Sequence, residues 1–351
     1  MHLGDIEEVV KGSSEKLLRT AVPPVKYWTN RFALQLPDDS AEQARLLAEC
    51  ERFPPRLKLL KAQREDGTWP IAGPRASAER RGPGPPYGWT YTTMLRSLYE
   101  LAEYKTSRTE GNIQTGLELI LSWQDDEGYI PGPSLVGIPE VNVNGFALSI
   151  LNRFGMGGDR RVRRLRDWLV TKQRNDGGWS IPFIQDMRYD PEYRYMRSSV
   201  FEELVREGKV KGYDPSRYSD VPSCTWTTLS VLRGMVQDKE MRFDPRILRA
   251  GNFFLDQFFK RNHHACYYRS EKSWTTLKYP TYHGSGLVGL EMLTAMGFGR
   301  SDPRMERPIE WLAAARSADG LWHTTERPTP GRDEWISTMA VSALARYCRS
   351  R

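Results

Sequence analysis

The feature that most constrains this chain is a short string that returns four times along it. "VTKQRNDGGWS" (170–180) sets Gln173, Asp176, Gly177 and Trp179 in register, and "LKAQREDGTWP" (60–70) repeats that register with Gln63, Asp66, Gly67 and Trp69. "LSWQDDEGYIP" (121–131) keeps Gln124 and Gly128 with Tyr129 as its aromatic residue, and "AARSADGLWHT" (314–324) keeps Asp319, Gly320 and Trp322 with Arg316 in place of the glutamine. Self-similarity of this kind marks a repeat architecture, so the unit between the copies has to be read first.

Each copy ends an amphipathic stretch. In "DRRVRRLRDWLVTKQ" (159–173), Val162, Leu165, Leu169 and Val170 fall near the helical period and charged residues take most other positions. Gly177 then stops the helix, because glycine enters the left-handed capping conformation without a Cβ penalty. Beyond the loop comes a helix of another composition, rich in small and apolar residues: "GWTYTTMLRSLYELAEY" (88–104), "VNGFALSILNRFGM" (143–156), "CTWTTLSVLRGMVQ" (224–237), "YHGSGLVGLEMLTAMGF" (282–298) and "EWISTMAVSALARYC" (334–348). A helix apolar on nearly every side is buried on several sides.

The chain therefore alternates polar-faced outer helices with buried inner ones. The pairs are 5–20 with 24–36, 40–63 with 89–104, 110–124 with 142–156, 159–174 with 224–237, 244–260 with 282–298, and 302–316 with 334–348. Pro54–Pro55 breaks or kinks the second outer stretch. No run of β-branched alternation with hairpin turns competes with this pattern. An open solenoid needs polar end caps, and neither end of this chain has the look of one. The expectation is an all-α fold, an α/α toroid in which six outer/inner hairpins form a closed barrel. Residues 1–351 make one such domain, with a segment inserted at about 180–223. In it the repeated string is a staple. The glycine reverses the chain, the tryptophan packs back over the helix end, and the glutamine bonds orphan carbonyls or the neighbouring repeat.

Composition excludes several classes. The net charge of +7 comes largely from scattered arginines, as in "GGDRRVRRLRDW" (157–168), which reads as a wet helix face. No nucleic-acid-binding signature accompanies it, so no nucleic-acid partner is expected. Cys50, Cys224, Cys266 and Cys348 are far apart without a CxxC, which points to reduced thiols and a cytoplasmic location. The N-terminal "MHLGDIEEVVKGSS" lacks the apolar core of a signal peptide, and no uninterrupted apolar run is long enough for a transmembrane segment.

Candidate site residues follow from the toroid geometry. Inner helices start at one mouth, where amide groups and dipole ends converge and favour an anion such as a diphosphate. Their first turns carry Trp89 and Tyr91, Asn142 and Asn144, Cys224 and Trp226, His283, and Glu334 and Trp335, with Tyr27 and Trp28 alongside. Cys224 and His283 begin consecutive inner helices, which places them within about 10 Å helix spacing, and Asp220 precedes Cys224 in "SDVPSCTWTTLSVL" (219–232). Asp220, Cys224 and His283 are competent ligands for a zinc ion with an open position. The plain alternative is a buried structural cysteine and a loop-bonded histidine. His263, His264 and His323 read as surface residues. The inserted segment brings Arg188, Arg194 and Arg197 to the same mouth, either to meet an anionic head group or as part of a surface excursion packed on its neighbour.

Gln-x2–5-Gly-x-Trp after an outer helix resembles the QW motif of squalene and oxidosqualene cyclases. The six-hairpin alternation is similar to the α/α-toroid of terpenoid cyclases and of the β subunits of protein prenyltransferases, and the resemblance spans most of the chain. It implies handling of an isoprenoid or other small hydrophobic ligand in the toroid cavity, by a terpenoid cyclase- or prenyltransferase-like enzyme. It also implies a possible protein partner, since prenyltransferase β subunits work with an α subunit. The Asp220–Cys224 segment resembles their Asp-x-Cys zinc segment, with three intervening residues instead of one, and "YPTYHGSGLVGLEML" (279–293) resembles their later histidine segment. The Asp-x-Asp-Asp acid of the cyclases has no counterpart here. "QDDEG" (124–128) belongs to a staple turn, and "LPDDSAEQ" (36–43) reads as a helix N-cap. Two rivals stay open: a non-catalytic binding or scaffold protein of this fold, and a carbohydrate-active toroid enzyme.

Overall fold

The computed structural model describes residues 2–71, 89–132, 139–182, 185–194, 196, 200–201, 203–204, 207–210, 214–264, 268, 270–281, 284–325 and 331–350; the side chains of Trp89, Arg188 and Pro215 lie outside that description. Among the described residues there is no strand. The helices are α1 (Leu3–Thr20), α2 (Pro23–Phe32), α3 (Ala41–Glu51), α4 (Pro54–Ala62), α5 (Trp89–Glu103), α6 (Ile113–Ser122) and α7 (Val141–Arg153). They continue with α8 (Arg160–Thr171), α9 (Thr225–Gln237), α10 (Pro245–Asp256), α11 (Glu271–Thr275), α12 (Gly286–Ala295), α13 (Glu306–Ala314) and α14 (Arg332–Arg349). Their starts carry the expected signals: Ser40, Asp159, Asp244 and Ser285 accept backbone N–H bonds as N-caps. Pro54 and Pro55 begin α4, so the second outer stretch is two helices.

The inner helices form a ring. Helix α5 packs on α7, α7 on α9, α9 on α12, α12 on α14, and α14 on α2. The step from α2 back to α5 is bridged by Trp28, whose Nε1 donates to the Glu103 carbonyl at 2.7 Å. Outside them α1 lies against α14, α3 against α2, α4 against α5, α8 against α7, α10 against α9, and α13 against α12 and α14. The first helix packing on the last closes the barrel, and the fold is the α/α toroid.

The staples are visible atom by atom. Gly67, Gly128, Gly177 and Gly320 all have positive φ, between 83° and 104°. The tryptophan Nε1 donates back ten residues to a carbonyl of the helix just left: Trp69 to Leu59 (2.9 Å), Trp179 to Leu169 (2.7 Å) and Trp322 to Leu312 (2.7 Å). Each glutamine amide splits its two donors. Gln63 reaches Gly67 O and Asn112 O, Gln124 reaches Gly128 O and Arg161 O, and Gln173 reaches Gly177 O and Arg246 O. The second acceptor is always at the start of the next outer helix, so the glutamine ties one hairpin to the next. Arg316 does the same at the seam, reaching Gly320 O and Ser13 Oγ on α1. In the copy with Tyr129, the fully buried Ile130 takes the tryptophan's place. The fifth hairpin carries a staple that the string does not reveal: Trp274, on α11, donates to Lys260 O at 2.8 Å and is fully buried.

The seam holds a second tie. His323, expected at the surface, bonds Asp333 of α14 through Nδ1 (2.9 Å) and Asp319 through Nε2 (3.1 Å), while Lys16 of α1 reaches Asp319 at 3.0 Å. The Asp333 bond raises the His323 pKa above 6.5, against burial, with Asp319 assisting. Burial works against ionised Asp319, but Lys16, the Leu321 N–H and His323 together hold it down at about 2. The His323 contribution to stability is therefore complete below pH 6.5 and is lost as pH climbs through the higher folded-state value; that of Asp319 is complete above 3.8 and is lost as pH falls through about 2. Urea unfolding of the protein and of His323→Gln checks this. The stability gap is expected to be wider at about pH 5.5 than at about pH 8.5, and an equal gap at both would refute the tie.

The inserted segment has its own apolar cluster of Met187, Tyr193, Phe201 and Tyr218. Arg174 anchors it through Asp186 Oδ1 (2.7 Å) and the Tyr218 carbonyl. His264, also expected at the surface, is buried, with Nε2 2.7 Å from Pro222 O. Residues 72–88, including most of the Pro/Gly-rich excursion, and Arg197 lie outside the described residues.

Candidate functional site

A cavity of about 440 Å³ lies inside the ring. Its deep end is set by Tyr279 and Thr281, in the loop before α12, and by Trp335 in the first turn of α14. Its mouth is set by the last residues of α2, α5, α7 and α9 and those just beyond them: Arg31, Lys105, Arg153 and Lys239. This cavity thus opens at the carboxyl ends of the inner helices, the opposite end from the amino-terminal mouth where the sequence points.

Two aromatic pairs wall it. Trp28 and Phe32, one helical turn apart on α2, stack at 5.2 Å with planes 8° apart; Tyr279 and Trp335 stack at 5.5 Å and 12°. Charged groups hold the rims. Lys105 ends α5 in the left-handed conformation (φ 61°) and brings its ammonium 4.6 Å from the Tyr27 ring and 4.8 Å from the Trp28 ring. Arg153 pairs with Glu103 and lies 4.8 Å over Tyr99. Arg346 lies 4.7 Å over Phe32 and 3.8 Å from Glu291. Asp38 takes the Tyr27 hydroxyl at 3.0 Å and Arg31 at 2.9 Å.

Burial dominates the titration behaviour. It pushes the Tyr27 phenol up to about 12, with Asp38 adding to the rise, and it lowers the pKa of Lys105, Arg233, Arg242 and Arg346. For Arg153 burial is overcome by Glu103 and Tyr99, and its pKa rises. Helix carboxyl ends carry partial negative charge, and several arginines neutralise it directly. Arg242 Nε donates to Val236 O, and Arg349 donates to Ala33 O and Phe32 O, each at 2.8 Å.

Of the sequence-predicted residues whose side chains are described, Trp335 lines this cavity, as do the flanking Tyr27 and Trp28. Tyr91 is fully buried, edge-on to Trp123 at 5.4 Å. Asn142 is buried on α7. Asn144 is a structural tie, exchanging bonds with both backbone groups of Ile130 at 2.8 Å. Trp226 is half-buried against the core. Arg194 is exposed on the inserted segment, the Arg188 side chain is not described, and Trp89 is placed only by its backbone at the start of α5. Asp220 is exposed, whereas Cys224 is wholly buried and its Sγ takes the Asn262 amide at 3.4 Å. His283 lies outside the described residues, among which no three His, Cys, Asp or Glu side chains converge as metal ligands.

The sequence reading missed Lys105, Glu103, Arg153 and Glu291. The signal was present: each is a charge on or beside an otherwise apolar inner helix, and a buried charge has to be partnered.

No protein-family model matches this chain, and no curated protein does. Among solved structures it is similar to a protein from Actinoplanes, at 12% identity over 98% of each chain with a TM-score of 0.42. It is also similar to the type II terpene cyclase MstE from Scytonema, at 11% identity over 99% of each chain with a TM-score of 0.31.

Proposed function

We propose that this protein binds an isoprenoid-type ligand inside the ring, and that its chemistry is of the terpenoid cyclase or prenyltransferase kind. The observation that carries the reading is the cavity walled by two stacked aromatic pairs, Trp28–Phe32 and Tyr279–Trp335. Flat π faces suit an unsaturated hydrocarbon chain, and their quadrupoles favour positive charge developing on it. The QW-like staples support the same reading by resemblance.

A zinc ion on Asp220, Cys224 and His283 is not part of the proposal. The Cys224 thiol has no exposure and already receives an amide, whereas Asp220 is exposed, so the described donors do not fit a shared coordination sphere and no step is routed through a metal. The carbohydrate reading gains one observation, since Glu103 and Glu291 line the same cavity; each, however, faces an arginine.

Titrating intrinsic tryptophan fluorescence with farnesol, farnesyl diphosphate and a neutral oligosaccharide decides among these. Saturable quenching by the prenyl compounds is expected, unchanged by a zinc chelator and weakened about tenfold in Trp335→Ala, the loss of one stacked ring face. Saturation by the oligosaccharide alone, or by none of the three, would overturn the reading.

A further inference from the structure

We propose that Lys105 is a nucleophilic amine that captures the aldehyde of an apolar-chain ligand, as an imine, at the mouth of the cavity. The inference rests on the proposed function only in that an apolar chain enters the ring; it does not depend on any cyclisation or prenyl transfer.

Three inner helices end in the same hydrogen-bonded turn. In α7 the Gly155 N–H reaches Asn152 O and the Met156 N–H reaches Leu151 O. In α12 Gly297 and Phe298 do the same to Thr294 O and Leu293 O, and in α5 Lys105 and Thr106 do so to Ala102 O and Leu101 O. The turn needs a left-handed residue, and φ is 74° at Gly155, 89° at Gly297 and 61° at Lys105. Glycine is its usual occupant, because glycine takes that conformation without a Cβ penalty. At two of these three equivalent positions the chain uses glycine; at the third it tolerates backbone strain and keeps a lysine. Neighbours hold the strained turn: Thr106 is buried and accepts from Arg56 Nε at 3.1 Å.

The lysine so placed lines the cavity. Its ammonium lies over the Tyr27 and Trp28 rings, which are themselves fixed by the Tyr27 bond to Asp38 and the Trp28 bond to Glu103 O. Among the described residues Nζ has no hydrogen-bond acceptor and no carboxylate within ion-pair distance. The arginines of the lining do have acceptors: Arg31 has Asp38, Arg153 has Glu103 and Arg242 has Val236 O. Lys239, the other lysine of the lining, is exposed. Burial lowers the pKa of Lys105; Asp38 and Cys50 oppose that, and Arg31 and Arg153 add to it. Desolvation of this kind enlarges the neutral fraction that makes a lysine nucleophilic.

The step balances without an oxidant or reductant. The Nζ lone pair adds to the carbonyl carbon and the C=O π pair moves to oxygen. The two amine hydrogens then leave with that oxygen as water, through the open mouth, as the C=N bond forms. An imine hydrolyses by the reverse path, so the ligand can depart. An aldehyde suits the place better than a ketone, because hydrogen is the smallest substituent to lie beside two ring faces. The protonated imine is again a cation and keeps those faces, while the chain runs inward toward Tyr279 and Trp335.

The test incubates the whole protein with citronellal, an unconjugated isoprenoid aldehyde, or with octanal, reduces with sodium cyanoborohydride and maps the adducts by mass spectrometry. Both aldehydes are expected to label Lys105 about tenfold faster than the exposed Lys58, the gain from holding the carbonyl beside the amine. Lys105→Gly, which gives this turn the residue found in α7 and α12, is expected to lose that adduct while farnesol still quenches tryptophan fluorescence. Lys105→Arg is expected to do the same. No Lys105 adduct, or labelling of Lys58 at the rate of Lys105, overturns the proposal. Selective Lys105 labelling by octanal in a protein that binds no farnesol removes the isoprenoid reading and leaves the amine site standing; farnesol binding without any Lys105 adduct does the reverse.

Discussion

Trp179→Ala is expected to destabilise the protein by about 3–5 kcal/mol, the range for deleting a large buried aromatic side chain. The indole is fully buried and fills the corner between the end of α8 and the inner ring. Its Nε1 satisfies Leu169 O at 2.7 Å, and its backbone N–H is received by Thr228 Oγ1 of α9 at 2.9 Å. Alanine keeps the backbone bond, leaves the Leu169 carbonyl with the Lys172 N–H at 3.1 Å in place of two donors, and opens a cavity that rigid helices on both sides cannot close. Urea unfolding followed by circular dichroism is the check, with the midpoint shifted down and native helicity retained in the absence of denaturant. Gln173→Ala, which removes three polar ties (to Gly177 O, Arg246 O and the Arg249 guanidinium) but little volume, is expected to cost less. A Trp179→Ala loss below about 1 kcal/mol would mean that the repeated string is not a structural staple.

Gly145→Val carries the other large effect, because α7 and α9 cross there with no room for a side chain. The new Cβ would meet Ser230 O and Val231 Cα at 2.6 Å each, contacts that only backbone movement relieves. Overpacking of this kind costs about 3 kcal/mol at its upper range. The valine also forces α7 away from α9, which pulls on the Asn152 Nδ2 bond to Gly234 O, 3.0 Å long across the crossing. The unfolding midpoint in urea is therefore expected to fall. Gly4→Ala is the control: it is helical with nothing within 4 Å of the added Cβ, and it should be neutral or slightly stabilising. An unfolding midpoint of Gly145→Val equal to that of the wild type would contradict the close crossing of α7 and α9.

The ring was legible because its signals are local and periodic. Amphipathic outer stretches, near-uniformly apolar inner ones, the Pro54–Pro55 break and the glycine stops each fix one element, and the repeat multiplies the signal. The fifth staple was not, because Trp274 sits on a short helix with no glutamine or glycine before it in the usual register. The cavity was less legible for another reason. Converging helix amino termini draw attention to first-turn residues such as Asn144 and Cys224, yet Asn144 is spent on Ile130 and Cys224 on Asn262. Where a hollow remains inside a ring depends on side-chain volumes summed over distant repeats, which no local pattern records. What the sequence did offer was the anomaly of Arg153, Arg233 and Glu291 in apolar helices. His264 and His323 misled in the opposite direction, since short polar turns in a toroid are pressed against the next hairpin.

The central claim is that the hollow of the ring, entered past Lys105 and Arg153, is where the ligand sits. A farnesyl diphosphate analogue with a photoreactive diazirine on its chain, followed by mass-spectrometric mapping, tests it most directly. The account predicts labelling of peptides spanning 28–32, 279–281 and 335–342, abolished by excess unlabelled farnesyl diphosphate. Labelling confined to the inserted segment or the outer helices, or labelling indifferent to the competitor, would contradict it.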